Sequence, residues 1–356
     1  MKIGILTFCN AYNLGAALQS YSLQKKLQGW GNEVELIDYR CPAIENMHKF
    51  RHVLRPGMRL KLRMYNLLFN LIVIRRRCRY RHFRRDVQRS KLYTRDTIAE
   101  TNGSYDLFIS GSDQVFNLLL TKGDHTYYLD FVEKGIKASY AASLGVCRPG
   151  KDEEYQKQLL RFDFLSVREK STQDYFQAEL GVAAELMPDP VFLFTGDEWK
   201  ALLDIKEKKK KDRYLLIYCL PESRKLYQMA HEAAEKKGLK IYVITKEPKA
   251  FGRADRTLTN IGPREFLELL ANADYVVTNS FHGTAFSLIF HKEFSILVPD
   301  YAPERVTNLL EYAGQTDRAV YDSSQIRLDP MDYSDTQLRL EEMRQKGMAY
   351  LRKIGA

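Results

Sequence analysis

The sequence predicts an α/β protein with two parallel, doubly wound sheets, each in its own domain. Its 356 residues exceed what one hydrophobic core usually serves, which favours two domains. Short β-branched runs alternate with amphipathic stretches of helical length, in two successive series. With 45% apolar and 28% charged residues, the composition is that of an ordinary globular protein. Ligands bind beyond the carboxyl ends of the strands in such sheets, so we expect the site in a cleft between the domains.

The two series occupy successive halves of the chain. First-series strands are predicted at residues 2–7, 34–38, 107–110 and 138–142, with a helix from about 16 to 28. Second-series strands are predicted at 215–219, 240–245, 275–278 and 294–297. A charged run at 206–213 indicates a solvated loop, so the seam is expected within 161–213. The predicted division is an N-terminal domain over 1–160, a C-terminal domain over 161–330 and a terminal helix over 331–356, the amphipathic stretch being 336–353.

The net charge of +10 is concentrated in one insertion in the N-terminal domain. Residues 49–95 hold sixteen Lys or Arg against one acid, Asp86, a net of +15 (16 − 1), so the remainder of the chain is acidic. This stretch is predicted to be helical. Its apolar run at 67–74 is too short to span a bilayer, which needs about 20 apolar residues.

Two interpretations of the insertion remain open. Residues 57–90 lie on an anionic membrane surface, with arginines at the headgroups, or they form a helix packed on the first domain with its basic side solvated. Nucleic acid is not expected as a partner, because the stretch contains no recognised reading module.

The cysteines indicate a reducing compartment. Cys9, Cys41, Cys78, Cys147 and Cys219 are scattered and form neither a C-x-x-C pair nor a metal spacing with the seven histidines. The N-terminal segment lacks the pattern of a signal peptide. We expect a cytoplasmic protein with reduced thiols, peripheral on the inner face of the membrane if the insertion binds lipid.

Two polar stretches in the first half follow predicted strands. Asn13 and Gly15 form a turn that opens a helix, and helix N-termini attract anions and hydroxyl-rich ligands, although taken alone these residues favour a simple capping turn. In YDLFISGSDQVFN, a strand runs directly into Ser112, Asp113 and Gln114. A carboxylate at Asp113 can take a proton from a sugar hydroxyl or hold it, and the alternative is that Asp113 caps the next segment.

Two further stretches carry a cation or a histidine. Arg168 follows a short apolar strand beside Glu169 and offers a fork of donors that matches carboxylate or phosphate, although a local ion pair is the commoner use. In ANADYVVTNSFHGTAFSLIF, a buried strand leads through Asn279 and Ser280 to His282 at the start of a helix. Such a turn binds phosphate without a metal, and histidine exchanges protons near neutral pH, so this stretch is the strongest local signal; the alternative is a histidine that only caps the helix or is satisfied in the core.

Six motifs in order resemble the polysaccharide pyruvyl transferase family. They are GILTFCNAYNLGAALQSYSLQ, FISGSDQVFN, SYAASLG, LSVREKS, DPVFL and ADYVVTNSFHGTAFSLIF, between Ile3 and about Gly314. The resemblance implies two Rossmann-like domains in a GT-B-type arrangement, with the acceptor on the N-terminal side and the donor on the C-terminal side. It implies an enzyme that transfers pyruvate from phosphoenolpyruvate onto a saccharide as a ketal, releasing phosphate, in the biosynthesis of cell-surface polysaccharide.

The resemblance also implies roles for individual residues. His282 is the expected general acid, Arg168 the donor clamp and Asp113 the acceptor-side base or anchor. The remaining donor-binding residues are expected to be Asn279, Ser280, Gly283, Thr284 and Arg305, and the acceptor-binding residues Asn13, Gly15, Ser112 and Gln114. The acceptor is expected to be a lipid-linked glycan precursor, such as a polyprenyl diphosphate saccharide. No metal or other cofactor is expected to be obligatory, because the sequence has no cluster of metal ligands.

One position departs from the family pattern. Characterised branches often have arginine, leucine and histidine where this chain has Ser280, Phe281 and His282, so one donor-binding cation is missing. We expect Arg305 or Lys292 to supply that charge, or a different anionic donor to bind. Two other functions remain open at this stage: a glycosyltransferase that uses a sugar nucleotide, and a noncatalytic protein that binds a saccharide or a membrane surface.

Overall fold

The computed structural model describes residues 1–46, 50–53, 58–150, 153–207, 213–247, 252–322 and 325–356. The charged loop predicted at 206–213 falls largely outside these ranges, and so do residues 49 and 54–57 of the predicted insertion.

Each predicted strand is present, together with short strands that have no clear sequence pattern. Along the chain the strands are β1 (Lys2–Leu6), β2 (Glu33–Tyr39), β3 (Arg89–Tyr93), β4 (Leu107–Asp113), β5 (Ile136–Ala142), β6 (Ser166–Val167), β7 (Glu185–Leu186), β8 (Tyr214–Tyr218), β9 (Lys240–Ile244), β10 (Arg256–Leu258), β11 (Tyr275–Thr278), β12 (Phe294–Leu297) and β13 (Ala319–Val320).

Helices alternate with these strands, as the sequence predicts. They are α1 (Leu14–Gly29), α2 (Pro42–Asn46), α3 (Leu60–Phe83), α4 (Leu118–Thr121), α5 (Glu153–Leu160), α6 (Lys170–Leu180), α7 (Gly196–Leu202), α8 (Arg224–Lys237), α9 (Pro263–Ala271), α10 (Phe281–Ile289), α11 (Glu304–Ala313) and α12 (Ser334–Lys353). Within the described part of the chain, none of them combines the length and the apolar character needed to cross a bilayer.

The first unit is built on a seven-stranded parallel sheet in the order β3-β2-β1-β4-β5-β6-β7. The inner strand β1 pairs with β2 on one side and β4 on the other, with Ile3 opposite both Val34 and Leu107. Its residues 3–6 are fully buried because both faces of the sheet carry a hydrophobic core. Because all the strands are parallel, their carboxyl ends meet at one edge of the sheet, where the sequence places its polar motifs.

The second unit repeats this architecture with six parallel strands in the order β10-β9-β8-β11-β12-β13. The middle strands β8 and β11 pair along their length, with Leu215 opposite Tyr275 and Tyr218 opposite Thr278. Two parallel-sheet domains are thus confirmed.

The division of the chain differs from the predicted one. Unit 1 comprises Met1–His48, Arg85–Phe194 and Glu341–Ala356, and unit 2 comprises Lys49–Arg84 and Thr195–Leu340. The predicted boundary after residue 160 is too early because β6 and β7 extend the first sheet by pairing next to β5. The predicted terminal helix is present as α12, but residues 341–356 belong to unit 1, where the Tyr350 hydroxyl donates to the Ser139 carbonyl (2.9 Å) and Lys353 forms an ion pair with Glu185 (2.8 Å).

The basic insertion forms α3, and its packing corrects one interpretation of the sequence. A helix packed on the first domain was one of the two possibilities, but α3 belongs to unit 2. Its buried side includes Ile72, Val73 and Tyr80. Arg76 donates to the Thr259 carbonyl (2.9 and 3.2 Å), which lies just after β10. Helix α3 follows β2 in the sequence but packs in the second unit, because Thr259 and helix α9, which it contacts, lie there.

Candidate functional site

The end of β4 holds the predicted acceptor-side residues in a strained turn. Asp113 has a left-handed backbone with φ of 72°, which is rare for a residue other than glycine and is common where a functional site fixes the backbone. Its Oδ1 accepts a hydrogen bond from the N–H of the next residue, Gln114 (2.9 Å), whereas the following helix α4 is capped by Asn117, so Asp113 is not its cap. The Gln114 side chain lies against Gly145, where a Cβ would sit 2.2 Å from Oε1, so only glycine fits there.

Arg168 lies at the centre of a buried ion-pair network. Its side chain is 3% exposed, with Nε 3.0 Å from Glu169 and Nη1 2.7 Å from Asp189. Burial lowers the pKa of the Arg168 guanidinium, but the charges of Glu169, Asp189 and Asp113 outweigh burial and raise that pKa above its ordinary value. The local ion pair that the sequence offered as an alternative therefore forms, while donor binding by Arg168 stays a prediction.

The same network connects Arg168 to the predicted acceptor residues. Ser112 Oγ donates to Asp189 (3.0 Å), and Ser143 Oγ, just after β5, donates to Glu169 (2.8 Å). Three carboxylates, those of Asp113, Glu169 and Asp189, surround the Arg168 guanidinium, so this group of four side chains has a net negative charge. Asp189 was not selected from the sequence, although its place before Pro190 in the DPVFL motif marks it as the cap of the following turn.

Asn13 and Gly15 lie at the start of α1, as predicted. Asn13 Oδ1 accepts hydrogen bonds from the N–H groups of Gly15 (2.9 Å) and Ala16 (3.3 Å), so Asn13 is the N-cap of the helix. The first turn of α1 contains no acidic side chain. The capping explanation accounts for these contacts, and saccharide binding by Asn13 and Gly15 stays a prediction.

A second polar cluster at this edge was missed by sequence reasoning. Asp38, near the end of β2, accepts hydrogen bonds from Asn10 (2.6 Å) and Arg40 (2.8 Å) and forms an ion pair with Arg89 (2.5 Å). Arg89 also donates to the side-chain amide oxygen of Asn10 (2.6 Å). The signal was available in ELIDYR, a strand that ends on an acid followed by a cation, but Arg89 is distant in sequence.

In the second unit, the turn from β11 into α10 is fixed by its own polar groups. Asn279 accepts from the Leu220 N–H (2.7 Å) and donates to the Pro221 carbonyl (2.9 Å), so it holds the loop after β8. Ser280 caps α10, and Thr284 Oγ1 donates to the Ser280 carbonyl (3.0 Å). A Cβ at Gly283 would lie 2.4 Å from Thr278 Oγ1, so glycine allows α10 to start close to β11.

His282 and Arg305 both lie close to Phe281 in this turn. The His282 ring stands edge-on to the Phe281 ring at 5.3 Å and is 7% exposed, while the Arg305 guanidinium lies 5.7 Å from that same ring. The structure thus places both predicted residues against Phe281, the first residue of α10. Lys292 does not join them, because its ammonium donates to the Ala271 carbonyl (2.9 Å) near the amino ends of β11 and β12.

Lys246 and Arg76 add two cations that were not selected from the sequence. Lys246 follows β9, next to the end of β8, and Arg76 of α3 donates to its carbonyl (3.1 Å). Burial, with a smaller effect of Arg76, lowers the pKa of the Lys246 ammonium. A lysine directly after the buried run IYVIT is the signal that could have identified it. Within the described ranges, no three His, Cys, Asp or Glu side chains converge in a way that could hold a metal ion.

Comparisons with known proteins give a set of similar solved structures and a family. Solved structures with similarity include a UDP-GlcNAc 2-epimerase from Methanocaldococcus jannaschii (12% identity, 100% of this chain and 99% of that chain, TM-score 0.48). Others are the glycosyltransferase SnogD from Streptomyces nogalater (11%, 98% and 95%, 0.46) and the E. coli heptosyltransferase WaaC with ADP-2-deoxy-2-fluoro heptose (11%, 84% and 89%, 0.40). No curated protein gives a significant match.

The family model described as polysaccharide pyruvyl transferase matches residues 13–301, most of the 356-residue chain, and that range includes the turns of Asp113, Arg168 and His282. The six motifs between Ile3 and Gly314 agree with it in order. The chain is therefore a transferase enzyme that belongs to the polysaccharide pyruvyl transferase family.

Proposed function

We propose that this transferase moves pyruvate from phosphoenolpyruvate onto a saccharide as a ketal and releases phosphate. Membership of the family supports a saccharide acceptor and a role in polysaccharide biosynthesis. The single observation that carries the proposal is the first turn of α10, where His282 and Arg305 both lie against Phe281. A helix N-terminus with a cation and an imidazole suits an anionic donor that must also receive a proton.

The chemistry needs one proton delivered and two removed. A proton reaches the methylene carbon of phosphoenolpyruvate, which becomes the methyl group of the ketal. One saccharide hydroxyl attacks C2, the C2–O bond to phosphate breaks, and a second hydroxyl closes the ring at C2. Of the two hydroxyl protons lost, one balances the new C–H bond and the other leaves with phosphate. We assign the delivery to His282 because histidine exchanges protons near neutral pH.

The two units differ in the charge at the carboxyl edges of their sheets. The second unit has Arg305, Lys246 and Arg76 near the ends of β8, β9 and β11, which suits a donor with phosphate and carboxylate groups. The first unit has carboxylates, hydroxyls and amides, which suit saccharide hydroxyls, and its cations Arg168, Arg40 and Arg89 are paired with those carboxylates. We therefore propose that the second unit binds the donor and the first unit binds the acceptor, with Asp113 accepting or anchoring a hydroxyl.

For Arg168 the contacts support a role other than the donor clamp that the resemblance implies. The Arg168 guanidinium neutralises part of the charge of Glu169 and Asp189, and the charge of Asp113 also helps to raise its pKa. We propose that Arg168 positions these carboxylates next to the strained end of β4. Direct binding of the donor carboxylate by Arg168 is the family-based alternative.

The test is incubation of the enzyme with phosphoenolpyruvate and a panel of saccharides, including polyprenyl diphosphate-linked ones, which we propose as the natural class of acceptor. Mass spectrometry should detect a product heavier by one pyruvyl ketal, and phosphate should appear in equal amount. A matched panel of sugar nucleotides serves as the control. Turnover of a sugar nucleotide with nucleotide release, and no phosphate from phosphoenolpyruvate, would refute the proposal in favour of glycosyl transfer.

A further inference from the structure

Helix α3 presents a continuous apolar row to solvent. Its members recur at intervals of four and three residues, so at 3.6 residues per turn they fall on one line along the helix. Their side chains are 47–73% exposed, whereas most exposed hydrophobic residues elsewhere in a protein are scattered singly. We call this row the outward stripe; it consists of Leu60, Met64, Leu67, Leu71 and Ile74.

The opposite side of α3 is firmly attached to unit 2. Ile72, Val73, Tyr80 and Phe83 are buried, and α3 packs beside α9, where Arg79 forms an ion pair with Glu265 (2.9 Å). Exposure of the stripe is therefore not a consequence of a detached helix. The fold holds the helix by one face and leaves the outward stripe facing solvent.

The charges on α3 are of a single sign. The helix contains seven Lys or Arg and no Asp or Glu. Lys61, Arg75 and Arg81 are exposed, and Arg75 and Arg81 project on the two sides of the stripe, each about 60° from its line. An apolar stripe bordered by cations is typical of helices that lie in the interface of an anionic membrane.

We propose that α3 docks unit 2 on an anionic lipid surface. Leu67, Leu71 and Ile74 enter the boundary between headgroups and acyl chains, while Arg75 and Arg81 contact the lipid phosphates. This location goes beyond the proposed reaction and does not depend on it, because it rests on α3 alone.

The charge on the helix disfavours a second copy of the chain as the occupant. Pairing two α3 helices through their stripes, parallel or antiparallel, brings the exposed cations Lys61, Arg75 and Arg81 of both copies, six in all (3 + 3), close together without a carboxylate from either helix. An anionic surface instead complements the cations on both sides of the stripe. Self-association is therefore the outcome that the test must separate from lipid binding.

Cys78 provides a direct probe, because it continues the spacing of the stripe and is the one exposed cysteine among the five. We would label it with an environment-sensitive fluorophore and add vesicles of phosphatidylcholine alone or mixed with phosphatidylglycerol. The emission should shift to shorter wavelength only with the mixed vesicles. The shift should weaken between 0.1 and 1 M salt, where the screening length falls from about 10 to about 3 Å.

Charge and apolar variants should each weaken co-sedimentation of the unlabelled enzyme with the mixed vesicles. Replacing Lys61, Arg75 and Arg81 by glutamate should lower the partition coefficient by about a hundredfold or more, at about 1 kcal/mol per cation removed. Arg76 and Arg77 are left unchanged, because Arg76 holds unit 2 carbonyls and Arg77 stacks on the Phe50 ring (4.4 Å). The variant Leu67→Gln/Leu71→Gln keeps helix propensity and should lower partition at least tenfold.

Matched controls separate the stripe from bulk properties. Glutamate at the exposed lysines Lys225, Lys236 and Lys346 changes the net charge by the same amount, from +10 to +4 (3 × −2). These lysines lie away from the stripe, so the partition coefficient should change by about twofold or less. Leu160→Gln/Leu338→Gln removes equally exposed leucines elsewhere and should have no effect.

Three results would overturn the proposal. They are no vesicle binding, equal binding to neutral and mixed vesicles, and equal losses in the stripe variants and their controls. If light scattering shows a dimer that Leu67→Gln/Leu71→Gln dissociates, with no lipid binding, the stripe is instead an interface between copies of the chain. None of these results bears on turnover of phosphoenolpyruvate, which is measured with a soluble saccharide.

Discussion

Replacing Arg168 by lysine should destabilise the enzyme as well as slow it. The guanidinium makes two charge-assisted contacts, to Glu169 (3.0 Å) and Asp189 (2.7 Å), in a site where its side chain is 3% exposed. A lysine ammonium on its flexible stem can keep one of these contacts but not the fork of donors. The charge stays, so the buried carboxylates are not left without a cation.

The size of the effect follows from the contact that is lost. A hydrogen bond to a charged group contributes about 1.5–3 kcal/mol. Asp189 keeps its bond from Ser112 and Glu169 keeps its bond from Ser143, so we expect a cost of about 2 kcal/mol. For a unit of about 170 residues, this lowers Tm by about 4–8 °C.

The assay pairs a thermal melt with steady-state kinetics in phosphoenolpyruvate. If Arg168 positions Asp113, then kcat and kcat/KM should fall together, because the interaction with the acceptor at the transition state is lost. Arg95→Lys is the control: Arg95 also pairs with a carboxylate, Asp130 (2.7 and 2.5 Å), but it is 53% exposed, so its loss should cost about 0–1 kcal/mol and no activity.

An unchanged melt together with a raised KM for phosphoenolpyruvate would refute this reasoning. That combination would mean that Arg168 binds the donor carboxylate, as the family resemblance implies, and that its ion pairs contribute little to the fold.

Three further predictions concern the second unit. His282→Ala should lower kcat by about 10²–10⁴ while the circular dichroism melt stays close to that of the wild type. His291→Ala, at an exposed histidine, is the control and should change neither kcat nor the melt. An active His282→Ala variant with a normal melt would remove the general-acid assignment. Gly283→Ala should lower the free energy of unfolding in urea by about 1–3 kcal/mol, because the added Cβ would sit 2.4 Å from a threonine hydroxyl. Gly29→Ala, where the added Cβ has nothing within 4 Å, should lower it little. Equal urea midpoints for the two variants would contradict the close packing of α10 on β11. Lys246→Met should raise Tm most near neutral pH. Because the pKa of Lys246 is lowered in the folded state, the unfolded chain holds more protons above that pKa, and the wild type gains stability as pH rises toward about 10.4. The difference in Tm between Lys246→Met and the wild type should therefore narrow from pH 7 to pH 10. A difference that does not depend on pH would refute the burial of a charged lysine.

The sequence predicts the central strands well and the peripheral ones poorly, for a physical reason. Strands such as Tyr275–Thr278 and Phe294–Leu297 are covered on both faces, so they read as uninterrupted apolar runs whose bounds match the structure. The outer strands β7 and β13 have two residues each, and β3 reads RSKLY, so neither length nor pattern distinguishes them from loops. Because β6 and β7 were not placed in the first sheet, the predicted boundary came too early.

The candidate site shows the same limit. Residues at the ends of predicted strands, such as Asp113 and His282, could be selected because topology alone brings the carboxyl ends of parallel strands to one edge. Their partners could not, since Asp189 meets Arg168 across 21 residues and Arg76 meets Thr259 across 183. Such pairings depend on how loops and helices pack, which periodicity does not encode.

The division of the chain into units has a practical consequence for dissecting the enzyme. Neither unit is a continuous segment, because the chain changes unit after His48, Arg84, Phe194 and Leu340. A fragment ending at residue 194 would lack Leu351 and Ile354, both buried in a core of the first sheet, and would carry α3 without α9. Half-length fragments are therefore poor candidates for independent expression, and a chimera between relatives would have to exchange residues 49–84 together with 195–340.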